Sequence, residues 1–106
     1  MTNKEILDQI GEAAALEQTA EECAELAQAC LKMARKIRAE NPTPQSEQLI
    51  SYQIHEELAD LMNCVDMIIV MPWINTRTIR DVQLQKMDRW KARLGSHEHE
   101  ISQAEV

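Results

Sequence analysis

Four acidic residues, spaced in two pairs, are the part of this sequence whose chemistry is most informative. Glu22 and Glu25 form the first pair, and Glu57 and Asp60 form the second, each with two residues between its members. On a helix, residues three apart point the same way. Two such helices packed together would bring four carboxylates close, and these repel one another unless cations neutralise them. Oxygen-only ligands suit Mg²⁺, with Mn²⁺ as a substitute, and Mg²⁺ completes its shell with substrate phosphates, so the pattern favours phosphoryl chemistry.

The two pairs lie at matching positions on two predicted amphipathic helices. At about 100° per residue, the apolar residues of each helix form a stripe that should face the core, and each acidic pair follows one edge of its stripe. The stripe on the second helix comprises Cys23, Leu26, Ala27, Cys30, Met33, Ala34 and Ile37. The stripe on the third comprises Ile50, Ile54, Leu58, Leu61, Met62, Val65, Ile68 and Ile69. One such acidic pair is typical of a solvated helix face, whereas two at matched offsets are compatible with either a shared metal site or two solvated faces.

The elements that must position these residues are helices. Phe is absent, only two Gly and three Pro interrupt 106 residues, and strong helix formers dominate the chain. Capping patterns and helix breakers bound four predicted helices. These run from Thr2 to Gly11, from Glu12 to about Ala39, from about Glu47 to Val70, and from Asn75 or Thr76 to a C-cap at Gly95. The clearest loop is Asn41-Pro42-Thr43-Pro44.

This pattern predicts an all-α fold, a four-helix-bundle-like subunit with short connections. We expect a helical domain at residues 1–95 and a polar, disordered tail at residues 96–106. A chain of this length buries a modest core, and small domains of this kind often gain stability by oligomerising.

Composition excludes several classes of function. With 18 acidic and 11 basic residues the formal net charge is −7, which is unsuited to long nucleic acids and to anionic membrane surfaces. The longest apolar stretch is too short to span a bilayer, and no signal peptide opens the chain. The three cysteines show no metal-binding spacing and are expected to be buried, reduced thiols. We therefore expect a cytoplasmic protein that binds neither a nucleic acid polymer nor a membrane.

The segments around both acidic pairs resemble motifs of the MazG-like, all-α nucleoside triphosphate pyrophosphohydrolases. The segment Glu21-Glu22-Cys23-Ala24-Glu25-Leu26, followed by Ala29-Cys30-Leu31-Lys32, looks like the first motif, and Glu56-Glu57-Leu58-Ala59-Asp60-Leu61 looks like the second. The resemblance covers residues 16–69. It implies that a nucleoside or deoxynucleoside triphosphate is hydrolysed to the monophosphate and pyrophosphate. It also implies that Glu22, Glu25, Glu57 and Asp60 hold Mg²⁺ and that the subunits form a homodimer or homotetramer.

Four further residues near the pairs are candidates for roles in such a site. Glu21 and Glu56 each precede an acidic pair and are candidates for the general base or for supporting the metal ligands. Lys32, two turns beyond the first pair, could bind a substrate phosphate. Asn63, one turn beyond the second pair, could contact metal-bound water or the nucleotide. The alternative for each of the four is a solvated side chain on a helix surface.

Two alternative functions remain open. The first is a phosphoribosyl-ATP pyrophosphohydrolase-like enzyme, which would use related chemistry. The second is a non-catalytic helical interaction module whose acidic edges are solvated. Metal titration separates the second from the enzymes, because an interaction module should not bind Mg²⁺ specifically.

Overall fold

The computed structural model describes the backbone of residues 1–40 and 43–105 and the side chains of residues 1–40 and 43–96. Four helices make up the fold, and we number them α1 (Asn3–Ile10), α2 (Glu12–Arg38), α3 (Glu47–Ile68) and α4 (Thr76–Glu105). The described backbone contains no strand. The prediction of an all-α fold is therefore confirmed. The chain divides into two compact units, Met1–Ile74 and Asn75–Val106, and each is described by itself.

Side-chain caps fix the helix starts that the sequence predicts. The hydroxyl of Thr2 accepts a 3.1 Å hydrogen bond from the backbone N–H of Glu5, whose carboxylate accepts one of 3.2 Å from the backbone N–H of Thr2. This reciprocal pair is a capping box and begins α1. Ser46 caps α3 by accepting from a backbone N–H three residues later at 3.2 Å. Asn75 does the same for α4 at 3.1 Å.

Backbone geometry separates the helices. Gly11 lies between α1 and α2 with φ +88°, a conformation that side chains with a Cβ rarely adopt. Ala39 ends α2 in the left-handed conformation, and Lys36 donates a 3.2 Å hydrogen bond to the carbonyl of Thr43 in the connection to α3. The predicted loop residues 41 and 42 lie outside the described residues. The third helix ends at Ile68, two residues earlier than predicted.

α2 and α3 pack along a seam marked by a series of less exposed positions that alternate four and three residues apart, with further half-buried positions beside it. On α2 these positions are Ala15, Thr19, Glu22, Leu26, Ala29, Met33 and Lys36. On α3 they are Ile50, Ile54, Glu57, Leu61, Cys64 and Ile68. This seven-residue repeat is the spacing of helices that pack at a small crossing angle. A carboxylate from each helix therefore occupies the seam.

The observed seam corrects the predicted apolar stripes. Leu26 and Met33 of the α2 stripe do lie in the seam, but Cys23, Cys30 and Ile37 are exposed. The prediction of buried cysteines is therefore wrong for Cys23 and Cys30, and Cys64 is only half-buried. The physical reason is that each helix covers only one narrow face of its neighbour, so the broader apolar stripe is left partly outside.

A small apolar core lies where α1 meets α2 and the segment after α3. Leu7, Ala15 and Met71 are buried there, with Met67, Ile68 and Ile74 packed against them. The indole N–H of Trp73 donates a 2.6 Å hydrogen bond to Oε1 of Glu12, which ties this segment to the first turn of α2. Ala29 and Ile50 are also buried within the seam.

α4 is longer than the sequence predicts. It continues through Gly95, so the predicted C-cap at that position is wrong. A glycine inside a helix costs only about 1 kcal/mol relative to alanine, which a long helix tolerates. Every described side chain of α4, up to residue 96, is exposed. The side chains of residues 97–106 lie outside the described ones, and the division into residues 1–95 and 96–106 stays a prediction.

Candidate metal centre

Three of the four predicted carboxylates meet in the α2–α3 seam. One oxygen each from Glu22, Glu25 and Glu57 lies within 4.8 Å of the other two. Glu22 and Glu57 are half-buried, because they occupy seam positions on facing helices, whereas Glu25 is exposed beside them. We call these three residues the carboxylate triad. It brings together acids that are more than thirty positions apart in the sequence.

Asp60, the fourth predicted ligand, lies outside the triad. The α3 seam runs through positions 57 and 61, which places Asp60 one residue away from it, on the exposed side. Its charge nevertheless contributes to raising the pKa of Glu57. Asp60 is therefore an electrostatic neighbour of the triad rather than one of its converging members.

Burial and crowding of like charges together perturb the pKa of Glu57. Burial, followed by a hydrogen bond with Glu25 and by the charges of Glu25, Glu22 and Asp60, raises the pKa of Glu57 to about 7. A carboxyl group in such surroundings keeps a proton near neutral pH unless a cation offsets the repulsion. The Glu57 carboxyl group beside Glu25 is therefore stabilised either by a proton shared between the two carboxylates or by a bound cation.

Two carboxylate oxygens in the triad are buried without a partner. Oε2 of Glu22 and Oε2 of Glu57 have no hydrogen-bond partner among the described residues. The other oxygen of Glu22 accepts a 2.7 Å hydrogen bond from Nε2 of Gln18, which holds the carboxylate in place. Buried polar atoms are normally paired with protein, water or an ion. Two unpaired carboxylate oxygens, in a cluster that offers only oxygen ligands, fit a hard divalent cation such as Mg²⁺ or Mn²⁺.

A polar pocket with a volume of about 410 Å³ opens beside the triad. It is lined by Glu25, Gln28, Ala29, Lys32, Gln53, Glu56 and Glu57. Lys32 is half-buried in this wall, one to two turns from the triad, and supplies the positive charge among the lining residues. An ammonium group beside a carboxylate cluster is suited to binding a phosphate that a metal ion brings there.

Glu21 and Glu56, the two candidates for the general base, lie in different surroundings. Glu56 lines the polar pocket, is exposed, and forms a hydrogen bond with the side chain of Tyr52 that raises the pKa of the Tyr52 hydroxyl. Glu21 is exposed on α2 and does not line this pocket. Proximity to the pocket favours Glu56 over Glu21 for any role toward a bound water.

A second, apolar pocket of about 110 Å³ lies on the other side of the triad. Its wall includes Asn63, which the structure therefore places away from the pocket that Lys32 lines. Gln18 also lines it, although the sequence motifs do not single out this residue. Gln18 could have been predicted as a neighbour of Glu22 because it lies four residues earlier, which puts both side chains on one face of the helix.

A scan against family profiles, a search of curated proteins and a search of solved structures each found no match. Within the described residues, the helices are all too short or too polar to cross a bilayer. The functional interpretation therefore rests on the seam geometry together with the sequence motifs.

Proposed function

We propose that this protein hydrolyses nucleoside or deoxynucleoside triphosphates to the monophosphate and pyrophosphate, in a reaction that depends on Mg²⁺ at the carboxylate triad. One observation carries the proposal: Glu22 and Glu57 occupy seam positions on facing helices, and each has a buried oxygen without a partner among the described residues. Apolar residues at those positions would stabilise the helix pair better. Sites where local stability is sacrificed in this way are typically functional.

The triad residues would hold the metal ion, and Mn²⁺ could replace Mg²⁺. When bound, the cation neutralises triphosphate charge and lowers the pKa of a coordinated water. Gln18 contributes by fixing Oε1 of Glu22 with its 2.7 Å hydrogen bond, so that Oε2 remains for the metal. Asp60 adds a fourth negative charge from the exposed side of the seam.

The polar pocket would bind the phosphate chain. Lys32 lies in the wall of this pocket. Its ammonium group would pair with oxygens of the phosphates that leave as pyrophosphate. Glu56 lies along the same wall, where its carboxylate can accept the proton of an attacking water. The resemblance to the MazG-like motifs supports the same reaction, because those motifs contain the triad, Asp60 and Lys32.

We also propose that the protein works as a homodimer or homotetramer, in which helices of several subunits complete a bundle. Only five side chains are buried among those that the structure describes, which is a small core for this length. Large apolar side chains remain exposed on α2 and α3, and they include Leu31, Ile37, Leu58, Met62 and Val65. α4 exposes others, namely Ile79, Val82, Leu84, Met87, Trp90 and Leu94. Apolar surface of this extent usually marks an interface.

The reaction is tested by incubating the protein with Mg²⁺ and a panel of canonical and modified NTPs and dNTPs, plus phosphoribosyl-ATP. Products are separated by anion-exchange chromatography. We expect monophosphate and pyrophosphate from at least one triphosphate. A diphosphate with inorganic phosphate would contradict the proposed bond cleavage, and cleavage of phosphoribosyl-ATP alone would establish the first alternative. Absence of any product, with no specific Mg²⁺ or Mn²⁺ binding, would establish the interaction module.

A further inference from the structure

The apolar pocket adjoins the triad, yet the metal chemistry above does not use it. It is lined by Ile10, Ala15, Gln18, Asn63, Cys64 and Met67, and its wall is almost entirely apolar. Gln18 belongs both to this wall and to the metal centre, because its amide donates the 2.7 Å hydrogen bond to Glu22. A ligand that contacts the triad can therefore reach the pocket within about one helical turn, or about 6 Å.

The two pockets lie at opposite ends of the triad along the seam. The polar pocket joins residues 25–32 of α2 to residues 53–57 of α3, whereas the apolar pocket joins residues 15–18 of α2 to residues 63–67 of α3. The helices are thus antiparallel, and the triad lies between a polar end that carries Lys32 and an apolar end. A nucleoside triphosphate has the same order, with anionic phosphates at one end and a flat heterocycle at the other.

We propose that the apolar pocket binds the base of the nucleotide and that its size favours single-ring pyrimidines over two-ring purines; this inference rests on the function proposed above. An apolar cavity of about 150 Å³ accommodates one benzene ring. The pocket here is smaller, about 110 Å³, and is open to solvent, so its wall encloses at most one ring, and the second ring of a purine would lie outside the apolar wall. Ile10 and Met67 supply apolar and thioether contacts to the ring. The exposed Asn63 can hydrogen-bond a base edge at the rim.

Alkylation of Cys64 tests this placement directly in the unmodified protein. Cys64 lines the pocket, whereas Cys23 and Cys30 are exposed, line neither pocket and serve as internal controls. The probes are the α,β-imido analogues of dCTP and dATP, which resist the proposed cleavage, and inorganic tripolyphosphate, which has no base, all with Mg²⁺. At about ten times its Kd, the dCTP analogue should slow N-ethylmaleimide labelling of Cys64 about 10-fold. Labelling of Cys23 and Cys30 should not change.

The contrasting probes decide the proposal. Tripolyphosphate should leave the labelling rate of Cys64 unchanged, and the dATP analogue should protect Cys64 less than the dCTP analogue at equal concentration. Equal protection by tripolyphosphate would overturn the base site, and equal protection by the dATP analogue would overturn the selection by ring size. Protection without release of pyrophosphate from dCTP would uphold the pocket and reject the reaction. Release of pyrophosphate from dCTP without protection would uphold the reaction and reject the pocket.

A pocket-filling variant gives a second, independent readout. Cys64→Leu adds bulk inside the pocket, and Cys30→Leu makes the same change at an exposed position of α2. Cys64→Leu should raise the Kd of the dCTP analogue at least about 10-fold, the effect expected when a ligand ring loses its apolar contacts. Tripolyphosphate should bind both variants as it binds the wild type. Unchanged affinity of Cys64→Leu for the dCTP analogue would overturn the proposal.

Discussion

Carboxylate oxygens of Glu25 and Glu57 lie within 4.8 Å of one another across the α2–α3 seam. Burial and the proximity of Glu25, with smaller effects of Glu22 and Asp60, raise the pKa of Glu57 from 4.5 to about 7. Between these two values the folded protein holds more protons than the unfolded chain does. The contribution of protonated Glu57 to the stability of the folded protein is therefore fully present below pH 4.5, and it is lost as the pH rises through about 7.

Replacing Glu57 with glutamine should consequently change the pH dependence of stability. The neutral amide mimics the protonated acid, so in metal-free buffer Glu57→Gln should melt at a higher temperature than the wild type at pH 8. This gain should disappear on lowering the pH to 4.5. Glu17→Gln is the matched control, because Glu17 is exposed on α2 and lies outside the triad. Melting curves in which Glu57→Gln and the wild type differ equally at both pH values would contradict the assignment.

Added Mg²⁺ should stabilise the folded protein at pH 8, because the triad binds it only when the two helices are packed. At a free concentration about 100 times Kd the gain is about 2.7 kcal/mol, which corresponds to a rise in melting temperature of roughly 10 °C. Glu22→Gln should lose most of this response, and Glu17→Gln should keep it. Sodium chloride at equal ionic strength separates binding from screening, and an equal rise with either salt would argue against a metal site.

Lys32 should contribute to substrate binding through its charge. Removing one charge-assisted hydrogen bond to a phosphate costs about 1.5–3 kcal/mol, so Lys32→Met should raise KM about 10- to 100-fold. Lys32→Arg, which keeps the positive charge, should retain part of the affinity. Steady-state kinetics of pyrophosphate release measure both variants, and a KM of Lys32→Met equal to the wild-type value would remove Lys32 from the site.

Ile50 should be a main contributor to the stability of the seam. Its side chain is fully buried, with 0% exposed, so Ile50→Ala should lower the free energy of unfolding by about 2–5 kcal/mol. The neighbouring Leu49 is 45% exposed, and Leu49→Ala should cost much less. Urea unfolding followed by circular dichroism compares the two variants. Equal midpoints would show that α3 packs through a different face.

Helix starts were predictable because local hydrogen bonds determine them. Thr2 with Glu5, and Ser46 at the start of α3, form caps within a few residues of themselves, so their sequence pattern suffices. The end of α4 was not predictable in this way. Gly95 is compatible with a C-cap and also with the interior of a long helix, and nothing nearby in the sequence distinguishes the two.

The packed face of α2 was harder to predict because apolar periodicity does not say which neighbour covers which residues. Ala15 and Ala29 are small and allow α3 to approach closely, and both are buried. Larger residues such as Ile37 remain on the uncovered face. Glu22, Glu25 and Glu57 converge as the sequence predicted, but the position of Glu22 and Glu57 inside the seam required knowledge of the helix register.

Matched variants decide whether the triad supports a Mg²⁺-dependent release of pyrophosphate. Initial rates should be measured with a substrate identified from the nucleotide panel, at saturating Mg²⁺ and pH 8. Glu25→Gln and Glu57→Gln should each lower the rate by at least about 100-fold, as expected for loss of a metal ligand. Glu17→Gln should stay within about twofold of the wild type, as surface substitutions usually do. Because Glu57→Gln should melt at a higher temperature than the metal-free wild type at this pH, its loss of activity would not reflect unfolding. Wild-type rates of pyrophosphate release from Glu25→Gln or Glu57→Gln would contradict the account.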